Sequence, residues 1–219
     1  MDPVTGLIVG SGWASGINLY GVVALLNIFG RLELGEVPEV LQRTDLLIVA
    51  LIMYALEFVA DKVPYLDNIW DVVHTAIRPL GAAVLGVVLV GDASGLGQAF
   101  AGFGSAGLAF TSHATKSTTR LAVNTSPEPV SNSIVSLAED GLVAVVIFLA
   151  VEYPVVAIII VVILLVLGVL LMRALIGAAR KGVEKVKNSW RNLAVAAVPP
   201  EAEPNGGKVP APPDRRAEG

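Results

Sequence analysis

The residues able to do chemistry fall into two stripes at helical spacing. His113, Lys116, Arg120 and Asn124 stand 3, 4 and 4 apart, and side chains three and four residues apart share one face of a helix. Asp67, Asp71, His74 and Arg78 stand 4, 3 and 4 apart and form the second stripe. Glu57 and Asp61, four apart, precede it, and Glu152 lies further down the chain. Both histidines of the protein belong to these stripes. Such a set suits an anion site linked to proton movement. Lys116, Arg120 and Arg78 would receive an anionic or phosphate-bearing group, Glu57 and Glu152 would carry protons, and His74 or His113 would relay them. The same charges serve equally as an ion-paired core that holds helices together. Asp67 also reads as a helix cap after a turn. Asp67, Asp71, His74 and His113 offer oxygen and imidazole ligands, but the neighbouring Lys and Arg already neutralise the acids, so no metal is expected.

The segments that must position these groups are apolar. Hydrophobic residues make up 54% of the 219 and charged residues only 16%, against about 25% in soluble domains. A soluble globular enzyme is therefore excluded. The absence of cysteine removes thiolate metal sites, iron–sulfur clusters and Cys nucleophiles. No G-x-S-x-G, H-E-x-x-H or P-loop string occurs. No enzymatic activity and no cofactor is expected.

A helix needs about 20 apolar residues to cross a bilayer. Apolar runs cover residues 7–30, 45–62, 66–90, 96–123 and 134–175. The last is too long for one span, and Glu152-Tyr153-Pro154 interrupts it; a proline disfavours helix for the residue before it. The expectation is an all-α membrane protein with six spans in a domain over 1–176, both termini on the cytoplasmic side. Orientation follows from Arg173, Arg180, Lys181, Lys185, Lys187 and Arg191, opposed only by Glu184. Residues 177–193 read as a cationic interfacial helix with Trp190 as anchor, and 194–219, rich in Pro, Ala and Gly, as a disordered tail.

The two halves of this domain match at fixed offsets. Arg31-Leu32 and Pro38-Glu39 align with Arg120-Leu121 and Pro127-Glu128; after a six-residue insertion, Asp45 and Glu57 align with Asp140 and Glu152. Three spans per half, over 7–90 and 96–175, make the second half an inverted copy of the first, the arrangement of many secondary transporters. In the fourth segment Gly102, Gly104, Gly107 and Ser112 suit close helix packing or a broken helix.

Two longer strings carry a family likeness. They run from Glu57 to Pro79 (EFVADKVPYLDNIWDVVHTAIRP) and from His113 to Pro129 (HATKSTTRLAVNTSPEP). Over residues 7–172 the chain resembles a bacterial inner-membrane family catalogued as domain of unknown function 4126. The resemblance implies six spans in a bacterial inner membrane and no known activity. The expected function is a small inverted-repeat transporter or channel for an anionic substrate, with proton coupling. The alternatives are a non-transporting scaffold or complex subunit and, further off, an enzyme acting on lipid headgroups. Expected partners are membrane lipids, the anionic substrate, protons and a second copy of the chain; no nucleic acid is expected.

Overall fold

The computed structural model describes residues 3–124 and 129–196. They form six α-helices: α1 (Pro3–Arg31), α2 (Thr44–Ala60), α3 (Pro64–Val90), α4 (Gly95–Asn124), α5 (Pro129–Glu152) and α6 (Pro154–Ala196). A short 3₁₀ turn (Glu39–Gln42) links α1 to α2, and no strand occurs among the described residues. The chain divides into two compact units, Met1–Ala178 and Ala179–Gly219. The tail expected over 194–219 lies mostly outside the described residues.

Local sequence explains the boundaries. Pro64 opens α3 at a first-turn position, where its missing N–H costs nothing. Gly91, at φ +60°, closes the same helix in a conformation glycine adopts without penalty. Tyr153 alone separates α5 from α6, so the interruption read at Glu152-Tyr153-Pro154 is a helix boundary.

Among the described residues, four helices are long and apolar enough to cross a membrane: α1, and the stretches Leu66–Val90, Ser133–Glu152 and Pro154–Arg191. Helix α2 has 17 residues and rises about 26 Å. Helix α4 is long enough but is the least apolar of the six.

The distribution of side chains is the reverse of a soluble protein's. Large apolar groups such as Ile52, Val72, Phe103, Phe148, Ile163 and Leu167 are exposed, while Glu57, Asp67, Arg78 and Arg120 are each 0% exposed. Helix α1 is the axis of the bundle, buried along most of its length and packed on α2, α3, α4 and α5. Its glycines permit this approach. A Cβ on Gly16 would collide with the Ala109 carbonyl and the Ser112 hydroxyl of α4, and one on Gly12 would lie 3.0 Å from the Ser105 backbone.

Helix α1 is also where the backbone breaks. Asn18 has φ −151° and ψ 93°, a non-helical conformation in mid-helix. The break considered for the glycine-rich fourth segment is not there: α4 runs continuously from Gly95 to Asn124. Gly102 lies 3.4 Å (by its added Cβ) from the Ala83 carbonyl of α3, whereas Gly104 and Gly107 face open space. The small residues of α4 therefore act in packing, and only some of them do.

Candidate functional site

The charged stripes meet where the last turns of α2 approach the first half of α3 and the second half of α4. Arg78 Nη2 donates to Glu57 Oε1 at 2.6 Å, and its Nη1 lies 3.5 Å from Asp71 Oδ1. Lys116 Nζ donates to Asp61 Oδ2 at 2.9 Å and lies 3.7 Å from Glu57 Oε1. Arg120 Nη2 reaches Asp61 Oδ2 at 3.2 Å. It also reaches Glu139 Oε2 of α5 at 2.6 Å. Helical spacing places Glu57 and Asp61 on one face of α2, Asp71 and Arg78 on one face of α3, and Lys116 and Arg120 on one face of α4. The three faces close on one another and exclude solvent: the side chains of Arg78, Glu57 and Arg120 are fully buried.

The broken helix completes the cluster. With Asn18 non-helical, the carbonyls just before it lose their i+4 partners and carry the partial negative charge of a helix C-terminus. Arg78 Nη1 donates to the Gly16 carbonyl at 3.1 Å, and Lys116 Nζ to the Ile17 carbonyl at 3.1 Å. Ser112 donates to the Trp13 carbonyl at 2.7 Å. On the other side of the break, Asn18 Oδ1 accepts from Gly21 N at 2.8 Å and so caps the second half of α1. Asn18 Nδ2 donates to Asp140 Oδ1 of α5 at 2.9 Å. Asn18, Tyr54 and Asp140 line one cavity with apolar neighbours from α1, α2 and α5.

Both histidines are committed to protein partners, and the contact of His113 with Arg78 is that of a neutral ring. His113 Nδ1 accepts from Arg78 Nη1 at 2.7 Å, which leaves the ring proton on Nε2, 3.1 Å from the Asp71 carbonyl. His74 Nδ1 donates to the Trp70 carbonyl at 2.8 Å. Its Nε2 meets the Tyr20 hydroxyl at 3.0 Å, and its ring stacks on Trp70. Among the described residues no group of three or more acids or histidines is placed to hold a metal ion.

Of the residues singled out by spacing, Glu57, Asp61, Asp71, Arg78, His113, Lys116 and Arg120 come together, with Asp67 and His74 buried on adjoining turns of α3. Asn124 ends α4, and its side chain lies outside those described. Glu152 is not brought to the cluster. It is exposed at the α5–α6 junction, where Pro154 ends the preceding helix. Lys62, next to Asp61, donates to the Phe58 carbonyl and lies over the Phe58 ring. Sequence reasoning missed Glu139 and Asn18. The signals were two adjacent acids, Glu139-Asp140, in an otherwise apolar run, and an amide shortly after two small residues, Ser15-Gly16, in α1.

The arrangement is that of a buried charge network built on a discontinuous helix, in an all-helical protein with apolar outer faces. Residues 5–174 match the family described as "Domain of unknown function (DUF4126)". The chain belongs to that family, as the two strings around Glu57–Pro79 and His113–Pro129 led one to expect. Comparison with curated proteins and with solved structures finds no match.

Proposed function

We propose that the chain is a multi-pass protein of a bacterial inner membrane, with both termini cytoplasmic. It crosses six times as two inverted three-helix repeats and acts as a small transporter for an anionic substrate, coupled to protons. The observation that carries this reading is the break at Asn18. Discontinuous helices whose ends meet charged groups in the bundle interior form the binding sites of secondary transporters. Here the freed carbonyls of Gly16 and Ile17 face Arg78 and Lys116. A rigid scaffold gains nothing from interrupting its central helix.

The cations are already partnered, and that sets the coupling. An anion reaches Arg78 only by competing with a carboxylate, and protonating that carboxylate removes the competitor. Substrate and proton are therefore taken up together. The test is flux into reconstituted vesicles that contain a pH-sensitive dye, driven by a gradient of inorganic phosphate or of a small dicarboxylate. Proton uptake with the anion, lost in Arg78→Gln, supports the reading; absence of flux for every anion offered sinks it.

One observation favours the second reading, a non-transporting scaffold or complex subunit. Each of Arg78, Lys116 and Arg120 has a carboxylate within 3.2 Å, as a closed structural core would have. The same vesicles decide between the two.

A further inference from the structure

The break in α1 has a second side. Arg78 and Lys116 take the carbonyls that precede Asn18, and Asn18 itself lines a cavity of about 220 Å³ between α1, α2 and α5. The polar groups of this cavity are Asn18, Tyr54 and Asp140, each near the middle of its helix. The remaining walls are apolar, and two of their residues, Ile28 and Leu51, are also exposed on the outer surface. The cavity therefore opens sideways, onto the apolar outer face of the bundle.

Asp140 is placed differently from the acids of the charge network. Glu57, Asp61, Asp71 and Glu139 each have a Lys or Arg nitrogen within 3.5 Å; among the described residues Asp140 has none. Lys62, whose charge acts on it, donates to the Phe58 carbonyl and lies over the Phe58 ring. The groups that hold the Asp140 carboxylate are neutral. Asn18 Nδ2 donates to its Oδ1 at 2.9 Å, and the Tyr54 hydroxyl interacts with it. Asn18 is fixed in turn, because its Oδ1 accepts from Gly21 N at 2.8 Å. These contacts pin the acid to the cavity wall and leave it without a cation in contact. An acid in mid-helix of an apolar bundle characteristically faces a partner or a ligand path.

The size and chemistry of the cavity select its ligand. An apolar cavity of about 150 Å³ holds a benzene molecule, so this one has room for a ring or a short alkyl group with a charged head beside it. A metal ion suits it poorly. Calcium takes about six to eight oxygen ligands, whereas the polar lining here is one carboxylate, one hydroxyl and an amide oxygen already engaged with Gly21. An ammonium group brings three N–H donors, which the Asp140 carboxylate and the Tyr54 hydroxyl oxygen can accept, and an aromatic ring in the lining also favours a cation. We propose that this cavity is a binding site for a small organic ammonium ion, its apolar body between α1, α2 and α5 and its nitrogen on Asp140. The same carboxylate repels an anion. The site is separate from the anion site of the transport reading and does not depend on it.

The experiment is calorimetric titration of the full-length protein in detergent at neutral pH, with melting measured alongside. The probes are benzylammonium, benzyl alcohol and benzoate, which share one ring and differ in charge. Benzylammonium should bind and raise the melting temperature, as a ligand of the folded state does. Benzyl alcohol and benzoate should bind at least about tenfold more weakly. Asp140→Asn keeps an acceptor for Asn18 and should weaken benzylammonium by about tenfold or more, the loss of one charge-assisted hydrogen bond. Ala144→Leu, at a half-buried position one turn beyond Asp140 on the cavity wall, leaves the acid in place and should block binding by filling the space. Equal affinity for the three probes overturns the proposal. So does benzylammonium binding that survives Ala144→Leu or keeps full strength in Asp140→Asn. Displacement by sodium at constant ionic strength would give the site to a metal ion and overturns it too. Should Asp140→Asn fail to fold, Ala144→Leu and the three probes decide. Absence of benzylammonium binding removes this site alone and leaves the transport reading to the vesicle experiment.

Discussion

Arg78 Nη2 lies 2.6 Å from Glu57 Oε1, and both side chains are fully buried. Neither residue has water to fall back on if its partner is removed. Breaking a buried pair by truncating one side costs about 3–5 kcal/mol, because the remaining charge is left uncompensated. Glu57→Gln is therefore expected to lower the melting temperature in detergent sharply. Glu152→Gln, its counterpart in the sequence repeat, is exposed and should change stability by less than about 0.5 kcal/mol. Equal effects would mean that the two positions share an environment after all.

Arg120 tests the network differently, because Asp61 and Glu139 both accept from it. Arg120→Gln, Glu139→Gln and the double variant form a cycle that isolates the pair from the rest of the cluster. Coupling within a shared charge network runs to about 0.5–3 kcal/mol. The double variant should be more stable than the sum of the single effects predicts, since it removes both members of the pair. Additive melting data would show that Lys116, 3.7 Å from Glu139, replaces Arg120 without loss.

These two experiments concern one acid that spacing found and one that it did not. The faces of α2, α3 and α4 were legible because their charges recur at intervals of three and four in apolar segments, where a charge is conspicuous. Glu139 sits beside Asp140, and two adjacent residues point in directions about 100° apart on a helix. Periodicity alone cannot say which of the two turns inward. The break at Asn18 was hidden for another reason. It is stabilised by Arg78 and Lys116 at separations of 62 and 99 residues, and no local pattern in α1 reports on donors so distant. The helix boundaries, by contrast, rest on Pro64, Gly91 and Pro154, which act on the chain next to them.

Asn18 itself is expected to be sensitive. Its side chain caps the second half of α1 through Gly21 and donates to Asp140. Asn18→Ala loses both contacts, and loss of a cap alone costs about 0.5–2 kcal/mol. Hydrogen exchange should show faster opening of amides over Leu19–Val22 than over Leu7–Gly10, on the other side of the break. Uniform protection along α1 in the variant would show that the break does not depend on this side chain.

Two glycines chosen for contrast test how closely α1 and α4 approach. A Cβ on Gly16 would strike the Ala109 carbonyl and Ser112, whereas one on Gly104 would meet nothing within 4 Å. Gly16→Ala should destabilise by about 1–3 kcal/mol through overpacking. Gly104→Ala adds a better helix former and should be neutral or stabilising by up to about 1 kcal/mol. Melting of the purified variants reads both. Destabilisation by Gly104→Ala would show that the face of α4 bearing this residue is covered in the membrane by another molecule.

The number of crossings turns on α2 and α4. At 17 residues, α2 rises about 26 Å against a hydrocarbon core of about 30 Å. The exposed faces of Ile48, Ile52, Leu56 and Val59 nonetheless suit lipid on that helix. Helix α4 is polar in its second half, yet the charges responsible, Lys116 and Arg120, are spent on partners inside the bundle. Its outward residues Phe100, Phe103 and Phe110 are apolar. Both helices therefore meet the requirement that a spanning segment present no unpaired charge to lipid, and six crossings are expected. A reporter fused after Gly219 cannot test this, because six crossings and four both leave the C-terminus on the side of the N-terminus. A reporter after Gly91, between α3 and α4, can. With six crossings three precede it, and it should score periplasmic while Gly219 scores cytoplasmic. If α2 and α4 lie on the membrane and only α1, α3, α5 and α6 cross, two precede it and it scores cytoplasmic. That result would leave the charge network at a surface, with no route across for a substrate.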